Sequence, residues 1–471
     1  MTSHSPILEN VKHYASTQPD KTALVWQEEA VTYSQLWMRV NAAAAALQAK
    51  GLRAHDRLGI VAKKGLDFVY TYLGAHAIGA VNVVLDPEVS EKRLEYIRSL
   101  TLPKLVVDAL DAVDGAKPDS VEGLSQNDTA DIVFTTGTTG AAKGVLLSHF
   151  NIFSSADNIN GFIGNGHDEV EVLGLPLCHS FGLGRLRCTL LKGATLVVLP
   201  SFANIKAFFA AIERYHATGF GMVPAVWAYI RKFSGTRIAK YAFQIKYIEI
   251  GSAAMPIESK KELCELFPTT RICHHYGLTE ASRAAFMEYH VCIDDLRTIG
   301  REVSDKVEIK IFDENGHEVP RGESGEICIK GNMVMKGYFK PEETAVAYFG
   351  DYFRTGDEGY RAENGNLYLV SRKKEIINVG GKKVSPVEVE EAIIALGVED
   401  CAVVGIPDPD GVLGEVPKVY ILNGGSPLSF DEIKAAIAGK LESYKIPVVW
   451  EWIDAIPKTA SGKKQRLQLK K

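Results

Sequence analysis

Residues 34–62 read SQLWMRVNAAAAALQAKGLRAHDRLGIVA. Ser34 to Ala49 has the spacing and alanine content of a helix, and Arg57 to Ala62 is a short apolar run after polar turn residues. A second such run, Ala80 to Leu85, follows another helical stretch. Alternating helices and short apolar segments are the cadence of strands joined by crossover helices, which predicts a largely parallel sheet. The same alternation resumes at Asp131 to Thr135, Glu169 to Leu175, Ala194 to Leu199, Gly219 to Val223 and Tyr247 to Gly251.

From about Lys306 the texture changes. Lys306 to Phe312 and Glu326 to Lys330 are strand-like runs separated by Asp313-Glu314-Asn315-Gly316, and Asn364-Gly365 joins two more that end at Ser371. Asn-Gly is a strong hairpin signal, so a β-rich unit is expected over about 300–371. Beyond it, Ser385-Pro386-Val387-Glu388 combines an N-cap serine, a proline at the first helical position and a capping-box glutamate. Val389, Ile393 and Leu396 then share a face, with Gly397 as the stop. The fold expected is α/β: a large N-terminal domain over 1–371, a hinge at 372–374 and a small α+β domain over 375–471.

Composition narrows the function classes. The 471 residues are 46% hydrophobic and 24% charged, a globular profile far from that of disorder. A net charge of −5 argues against a general nucleic-acid binder, although Lys458 to Lys471 carries six basic residues and no acid. The seven cysteines are scattered without a CxxC pair, so neither a disulfide framework nor a zinc site is predicted and a reducing compartment fits. The N-terminus has no basic patch followed by an apolar core, and no stretch of 18 apolar residues occurs. A cytoplasmic protein without a membrane span is expected.

The chemistry concentrates after the run Asp131 to Thr135, in Thr136-Gly137-Thr138-Thr139-Gly140-Ala141-Ala142-Lys143-Gly144. Glycines let backbone N–H groups converge on an anion, hydroxyls donate to phosphate oxygens and Lys143 supplies charge. The loop is built for polyphosphate. It is not a Walker A loop, because two residues separate Gly140 from Lys143.

Five segments in order, FTTGTTGAAKGVLLSHFN (134–151), YGLTEAS (276–282), YFRTGD (352–357), SRKKEIINVGGKKVSPVEVE (371–390) and IPKTASGKKQR (456–466), resemble the acyl-adenylate-forming superfamily. The resemblance is closest in kind to AMP-dependent acyl-CoA synthetases. It implies attack of a carboxylate on the α-phosphorus of ATP to give acyl-AMP and pyrophosphate, then transfer of the acyl group to a thiol. It also implies ATP-binding residues: Thr135, Thr136, Gly137, Thr138, Thr139, Gly140 and Lys143 around the phosphates, Ser252, Ala253, Tyr276 and Gly277 around the adenine, and Asp357 and Arg372 at the ribose. Glu280 would hold Mg²⁺ and Thr279 would donate to phosphate. Lys463, selected over Lys464 by the Ser-Gly-Lys spacing, would sit between the carboxylate and the α-phosphate, where an ammonium offsets the charge of two meeting anions.

The same resemblance puts His179 and Phe181 at the acyl group as gate and wall, with Gly251, Ala254 and Gly277 keeping the site open. Lys374 matches the hinge of a mobile C-terminal lid. Gly380, Gly381 and Lys382 would meet the pantetheine arm in a second conformation. That arm belongs to CoA or, alternatively, to a carrier protein; an inactive nucleotide sensor is the remote third reading. No aspartate lies between Leu173 and Pro200 to anchor a substrate ammonium, so a small carboxylic acid without an α-amine is expected. Arg185, Arg187 and Arg283 are candidates to read a second anionic group, or else to face solvent or pair with structural acids. Two departures from the family pattern stand in the loop, Thr136 for serine and Ala142 for proline.

Overall fold

Tyr33–Ala49 forms the first long helix, started by a capping box in which the Thr32 hydroxyl accepts from the Gln35 N–H and the Gln35 side chain accepts from the Thr32 N–H. Its alanine run has a packing reason beyond helix propensity. Gly74, on the helix Leu66–Ala77, lies so close that a Cβ there would stand 2.9 Å from the Ala44 backbone nitrogen. Two helices can approach this closely only where both faces are small.

The computed structural model describes residues 4–63, 65–135, 142–380, 382–409, 413–438, 440–459 and 462–470. In it the predicted alternation becomes two mixed sheets. One runs in the order Gly337–Tyr338, Gly144–Ser148, Thr129–Phe134, Val81–Leu85, Arg57–Val61, Leu105–Val107. Its inner pairs are parallel, and the edge formed by Thr129–Phe134, Gly144–Ser148 and Gly337–Tyr338 is antiparallel. The second sheet has nine strands among the described residues, with the predicted runs at Val170–Leu173, Thr195–Val198, Gly219–Met222 and Tyr247–Ile250 parallel at its centre. Antiparallel strands close both its edges, Thr22–Trp26 with Glu29–Thr32 on one side and Arg271–Tyr276 with Ala285–Glu288 on the other.

A five-stranded antiparallel sheet follows, built from Val307–Phe312, Gly325–Gly331, Tyr348–Phe349, Tyr352–Arg361 and Leu367–Arg372. Gly365 takes a φ of +87° at the second Asn-Gly turn, a conformation that glycine adopts without strain. The first Asn-Gly turns the chain only as far as a bridge between Phe312 and Glu318; the true neighbour of Val307–Phe312 begins at Gly325.

The C-terminal part is a separate α+β unit. Cys401–Pro407, Glu415–Leu422 and Val449–Ile453 make its sheet, against which Pro386–Ile394 and Phe430–Ala438 pack. Ser385 caps its first helix, its hydroxyl accepting from the Glu388 N–H, but the expected capping box is not closed, because the Glu388 carboxylate accepts from Lys445 instead. Val389 and Ile393 are fully buried in an apolar cluster of residues 377–450, distinct from the main cluster of residues 7–367. Among the described residues no helix is long and apolar enough to cross a membrane.

Candidate functional site

Several strands stop at the same place. Asp86 follows Val81–Leu85, Thr135 follows Thr129–Phe134, Ser252 comes two residues after Tyr247–Ile250, and Gly277 follows Arg271–Tyr276. All four line one cleft of about 980 Å³. Open α/β sheets bind ligands at the carboxyl ends of their strands, because the chain there leaves the ladder and frees its polar groups.

Among the described residues, the cleft brings together most of the site residues singled out from sequence. Thr135, Lys143, His179, Phe181, Ser252, Gly277, Thr279, Glu280, Arg372, Lys374 and Lys463 all line it. Thr136, Gly137, Thr138, Thr139, Gly140 and Gly381 lie outside the described residues. The neck of the phosphate loop is described: the Thr135 N–H donates to the Lys143 carbonyl at 3.0 Å, and Arg93 Nη2 donates to the Thr135 carbonyl at 2.8 Å. Lys143 Nζ stands 4.5 Å above the Tyr338 ring, and the Tyr338 hydroxyl donates to Glu280 Oε1 at 2.8 Å. Tyr338 escaped the sequence reading because nothing local marks it; the contact arises where its short strand joins the edge of the six-stranded sheet.

Asp357 lies within a strand and not after a turn. It sits inside the strand Tyr352–Arg361, where Gly356 takes a φ of +72° and the pairing with Gly325–Gly331 slips. Its register partner on the next strand is Arg372, whose Nε is 2.6 Å from Asp357 Oδ1. Oδ2 accepts from the Tyr276 hydroxyl at 2.7 Å. Tyr276 is buried behind the wall, and burial together with the Asp357 charge pushes its hydroxyl well above the ordinary tyrosine range. The result is a Tyr276–Asp357–Arg372 chain leading to the cleft surface.

Lys463 comes from the C-terminal unit, yet lines this cleft with Thr459. Burial lowers its pKa, and the Arg372 charge lowers it further against the pull of Asp357 and Glu375. Lys464 points the other way, donating to Glu390 Oε2 at 3.0 Å and lying 2.9 Å from Asp400 Oδ1. Arg466 grips Glu390 and Glu375, Lys458 pairs with Asp400, and Lys470 Nζ lies 3.4 Å from Glu415. Among the described residues of the basic tail, Lys458, Lys464, Arg466 and Lys470 are ion-paired to their own unit and Lys463 is turned to the cleft.

Gly251, Ala253 and Ala254 do not line the cleft. Gly251 is small for another reason: a Cβ there would fall 2.0 Å from the His275 ring. Gly380 and Lys382 also lie off it, in the hairpin that pairs Ile377–Val379 with Lys382–Val384, where Gly380 has a φ of +57° and its N–H donates to the Leu413 carbonyl. The three arginines proposed as readers of a second anion are all paired. Arg187 binds Asp131 and Tyr72, while Arg185 binds Glu171 and Glu249. Arg283 spends Nε on Glu249 at 2.8 Å and its other nitrogens on the Ser180 and Phe181 carbonyls. The structural-acid alternative is the one observed.

Seven lysines and arginines line the cleft against five aspartates and glutamates, a balance suited to a polyanion. Two places offer cation ligands. Glu280 presents hard carboxylate oxygen beside Thr279, the donor type that Mg²⁺ takes. Asp86, Cys178 and His179 bring ligand atoms within 4.8 Å of one another, but a thiol is too soft a donor for Mg²⁺. Burial lowers the His179 pKa against the opposing pull of the nearby Asp86 and Glu88.

A strand-end cleft rich in lysine and arginine, a hard carboxylate and a lysine delivered by a second unit are groups that a nucleotide-dependent ligase would use. Comparison with known proteins agrees. The family described as AMP-binding enzyme matches residues 11–122 and 108–339, and the AMP-binding enzyme C-terminal domain matches 388–463. The chain belongs to the AMP-binding enzyme family, as an AMP-forming acid–thiol ligase of the acyl-CoA synthetase type. Feruloyl-CoA synthase from an Amycolatopsis species is 30% identical over 475 residues, covering 95% of each chain. The o-succinylbenzoate CoA synthetase of Bacillus subtilis, in complex with its acyl-adenylate intermediate, superposes with a TM-score of 0.88 at 25% identity over 98% of each chain. The same enzyme with ATP and magnesium ion gives 0.88 at 26% identity, over 98% of this chain and 99% of that one.

Proposed function

We propose that this protein activates a small carboxylic acid in two steps. In the first, a carboxylate oxygen attacks the α-phosphorus of ATP, the bond to the β-phosphate oxygen breaks, and acyl-AMP and pyrophosphate result. In the second, the thiol of CoA attacks the acyl carbon, loses its proton and expels AMP. The observation that carries this reading is the convergence of Lys463, from the C-terminal unit, with Thr279, Glu280, Thr135 and Lys143 in one cleft. Bringing a carboxylate to a polyphosphate is dominated by charge repulsion, and an ammonium and hydroxyl donors aimed at the developing charge lower that barrier. Glu280 would hold Mg²⁺, which when bound neutralises phosphate charge. The Tyr276–Asp357–Arg372 chain leaves one lone pair on each Asp357 oxygen for ribose hydroxyls, its orientation fixed by the two existing hydrogen-bonding partners. His179 and Phe181 would border the acyl group.

CoA is the acceptor favoured, since relatives along the whole chain are named CoA ligases. Lys374 and the polar stretch 372–374 would be the hinge on which residues 375–471 turn, bringing the Gly380–Lys382 hairpin to the cleft for the thiol step. The test supplies ATP, Mg²⁺ and a panel of acids, reading pyrophosphate release and then, with CoA, the thioester by mass. Acid-dependent pyrophosphate and an acyl-CoA product are expected. Acyl-AMP that persists with CoA but discharges onto a phosphopantetheinylated carrier protein would reassign the acceptor.

A further inference from the structure

Where Phe181 would border the acyl group, the floor of the cleft is made of two aromatic rings. Phe181 and His275 both line the cavity, edge to face with ring centroids 4.8 Å apart. Directly behind them is Glu249, fully buried in the strand Tyr247–Ile250, with Oε1 at 2.8 Å from His275 Nδ1. Glu249 also holds Arg283 and Arg185, and Arg185, itself fully buried, takes both oxygens of Glu171 on the strand Val170–Leu173. Two guanidinium groups and two carboxylates thus close on each other across two strands and the helix Ser180–Lys192. Arg185, Glu171 and Glu249 contribute nothing to the cleft lining, so the cavity stops in front of them.

This floor has no room to retreat. The His275 ring lies against the Gly251 backbone, where an added Cβ would be 2.0 Å away, and Phe181 Cε2 would be 3.2 Å from a Cβ at Gly221. The Arg283 guanidinium stacks 4.8 Å from the Phe181 ring and is bonded to the carbonyls of Ser180 and Phe181, which pins the start of the helix. Long-chain and aryl acids need an apolar pocket deep enough to bury them. Here such a group would have to displace an aromatic lid from mutually paired buried charges, which are strongly unfavourable to separate. Arg283, the one of the three candidate arginines that lines the cleft, already has Nε, Nη1 and Nη2 engaged by Glu249, Ser180, Ser282 and Phe181, which makes it a poor reader of a second anionic group.

We infer that the acid this cleft accepts is a short monocarboxylic acid without a second charge, because a buried ion-pair network capped by Phe181 and His275 closes the acyl site at shallow depth. The inference rests on the acid-activating reading above and narrows it. It is tested by kcat/KM for pyrophosphate release with acetate, propionate, butyrate, hexanoate, octanoate and ferulate, and with malonate and succinate as the diacid arm. The highest value is expected at butyrate or a shorter acid, with about a tenfold loss or more by hexanoate, octanoate and ferulate at background, and each diacid below its monoacid. A maximum at hexanoate, octanoate, ferulate or a diacid overturns the inference while leaving acid activation intact. Pyrophosphate release with none of these or any longer acid overturns the acid-activating reading, and this inference with it. His275→Gly, checked for folding by its melting curve, is expected to raise the hexanoate-to-propionate ratio about tenfold with an unchanged KM for ATP. An unaltered ratio in the folded variant also overturns the assignment of the floor.

Discussion

Lys463 and Lys464 are adjacent and chemically identical, and their surroundings give them opposite uses. Lys464 is held by Glu390 and Asp400, so its charge fastens the end of the chain to the C-terminal unit. Lys464→Ala leaves Glu390 to Arg466 and the half-buried Asp400 to Lys458, and a loss of about 1–3 kcal/mol is expected, read from denaturant unfolding, with kcat for adenylation little changed. Lys463→Ala should lower adenylation about a hundredfold or more while thioester formation from supplied acyl-AMP stays within a few-fold. Equal losses in the two half-reactions would count against a lysine that serves only the first. The titration has a definite sign. Burial and Arg372 move the Lys463 pKa below its ordinary 10.5, so the ammonium is present at low pH and is lost earlier than usual as pH rises. The adenylation rate should accordingly fall on the alkaline side before an ordinary lysine would titrate, and the thioester step should lack that limb. A shared alkaline limb in the two profiles would assign it to another group.

At the scale of elements, the parallel strands were legible because each is an apolar run bounded by turn residues, and the cleft lies where those runs stop. Thr135, Ser252 and Gly277 could be found from this rule together with the motifs. Asp86 was equally accessible, being the first residue after Ala80 to Leu85, but it belongs to no motif. The bonding of Asp357 to Arg372 was not legible, since it depends on the register of two strands and on a bulge at Gly356. The fates of Arg185 and Arg283 were hidden for a similar reason: their partner Glu249 looks from sequence like a polar interruption in a strand and becomes the hub of the floor only once helix and strands are packed. Gly182 gives a prediction at this scale. In the first turn of the helix Ser180–Lys192, its missing Cβ would lie 2.1 Å from the Pro176 carbonyl oxygen. Backbone cannot yield there cheaply, so Gly182→Ala should force the helix from the Pro176–His179 loop. About 1–3 kcal/mol of stability should be lost, and KM for the acid should rise more than KM for ATP, because His179 and Phe181 move with the loop and helix. A melting temperature and acid KM equal to wild type would mean the approach is looser than drawn.

Among the described residues the main apolar cluster of the large unit spans residues 7–367 and that of the C-terminal unit residues 377–450, with the cleft bordered by both units. Lys463 lines that cleft while Gly380 and Lys382 do not, so in the two-step reading proposed above this arrangement would serve the first step and the C-terminal unit would have to turn for the second. One contact allows this to be tested by trapping. A Cβ at Gly462 would stand 3.6 Å from the Ala225 Cβ, on the helix Pro224–Ser234 of the large unit, and disulfides span Cβ separations of about 3.5–4.5 Å. Ala225→Cys with Gly462→Cys should therefore cross-link under mild oxidation, despite the strain of a side chain at the φ of +83° that Gly462 adopts. Of the seven native cysteines, six are buried, which favours pairing of the introduced thiols with each other. The oxidised double variant is expected to make one equivalent of acyl-AMP and pyrophosphate and then stop, with thioester formation restored by a reductant. Full two-step turnover in the cross-linked form would show that both reactions proceed from a single arrangement of the two units, and the hinge at 372–374 would lose its purpose.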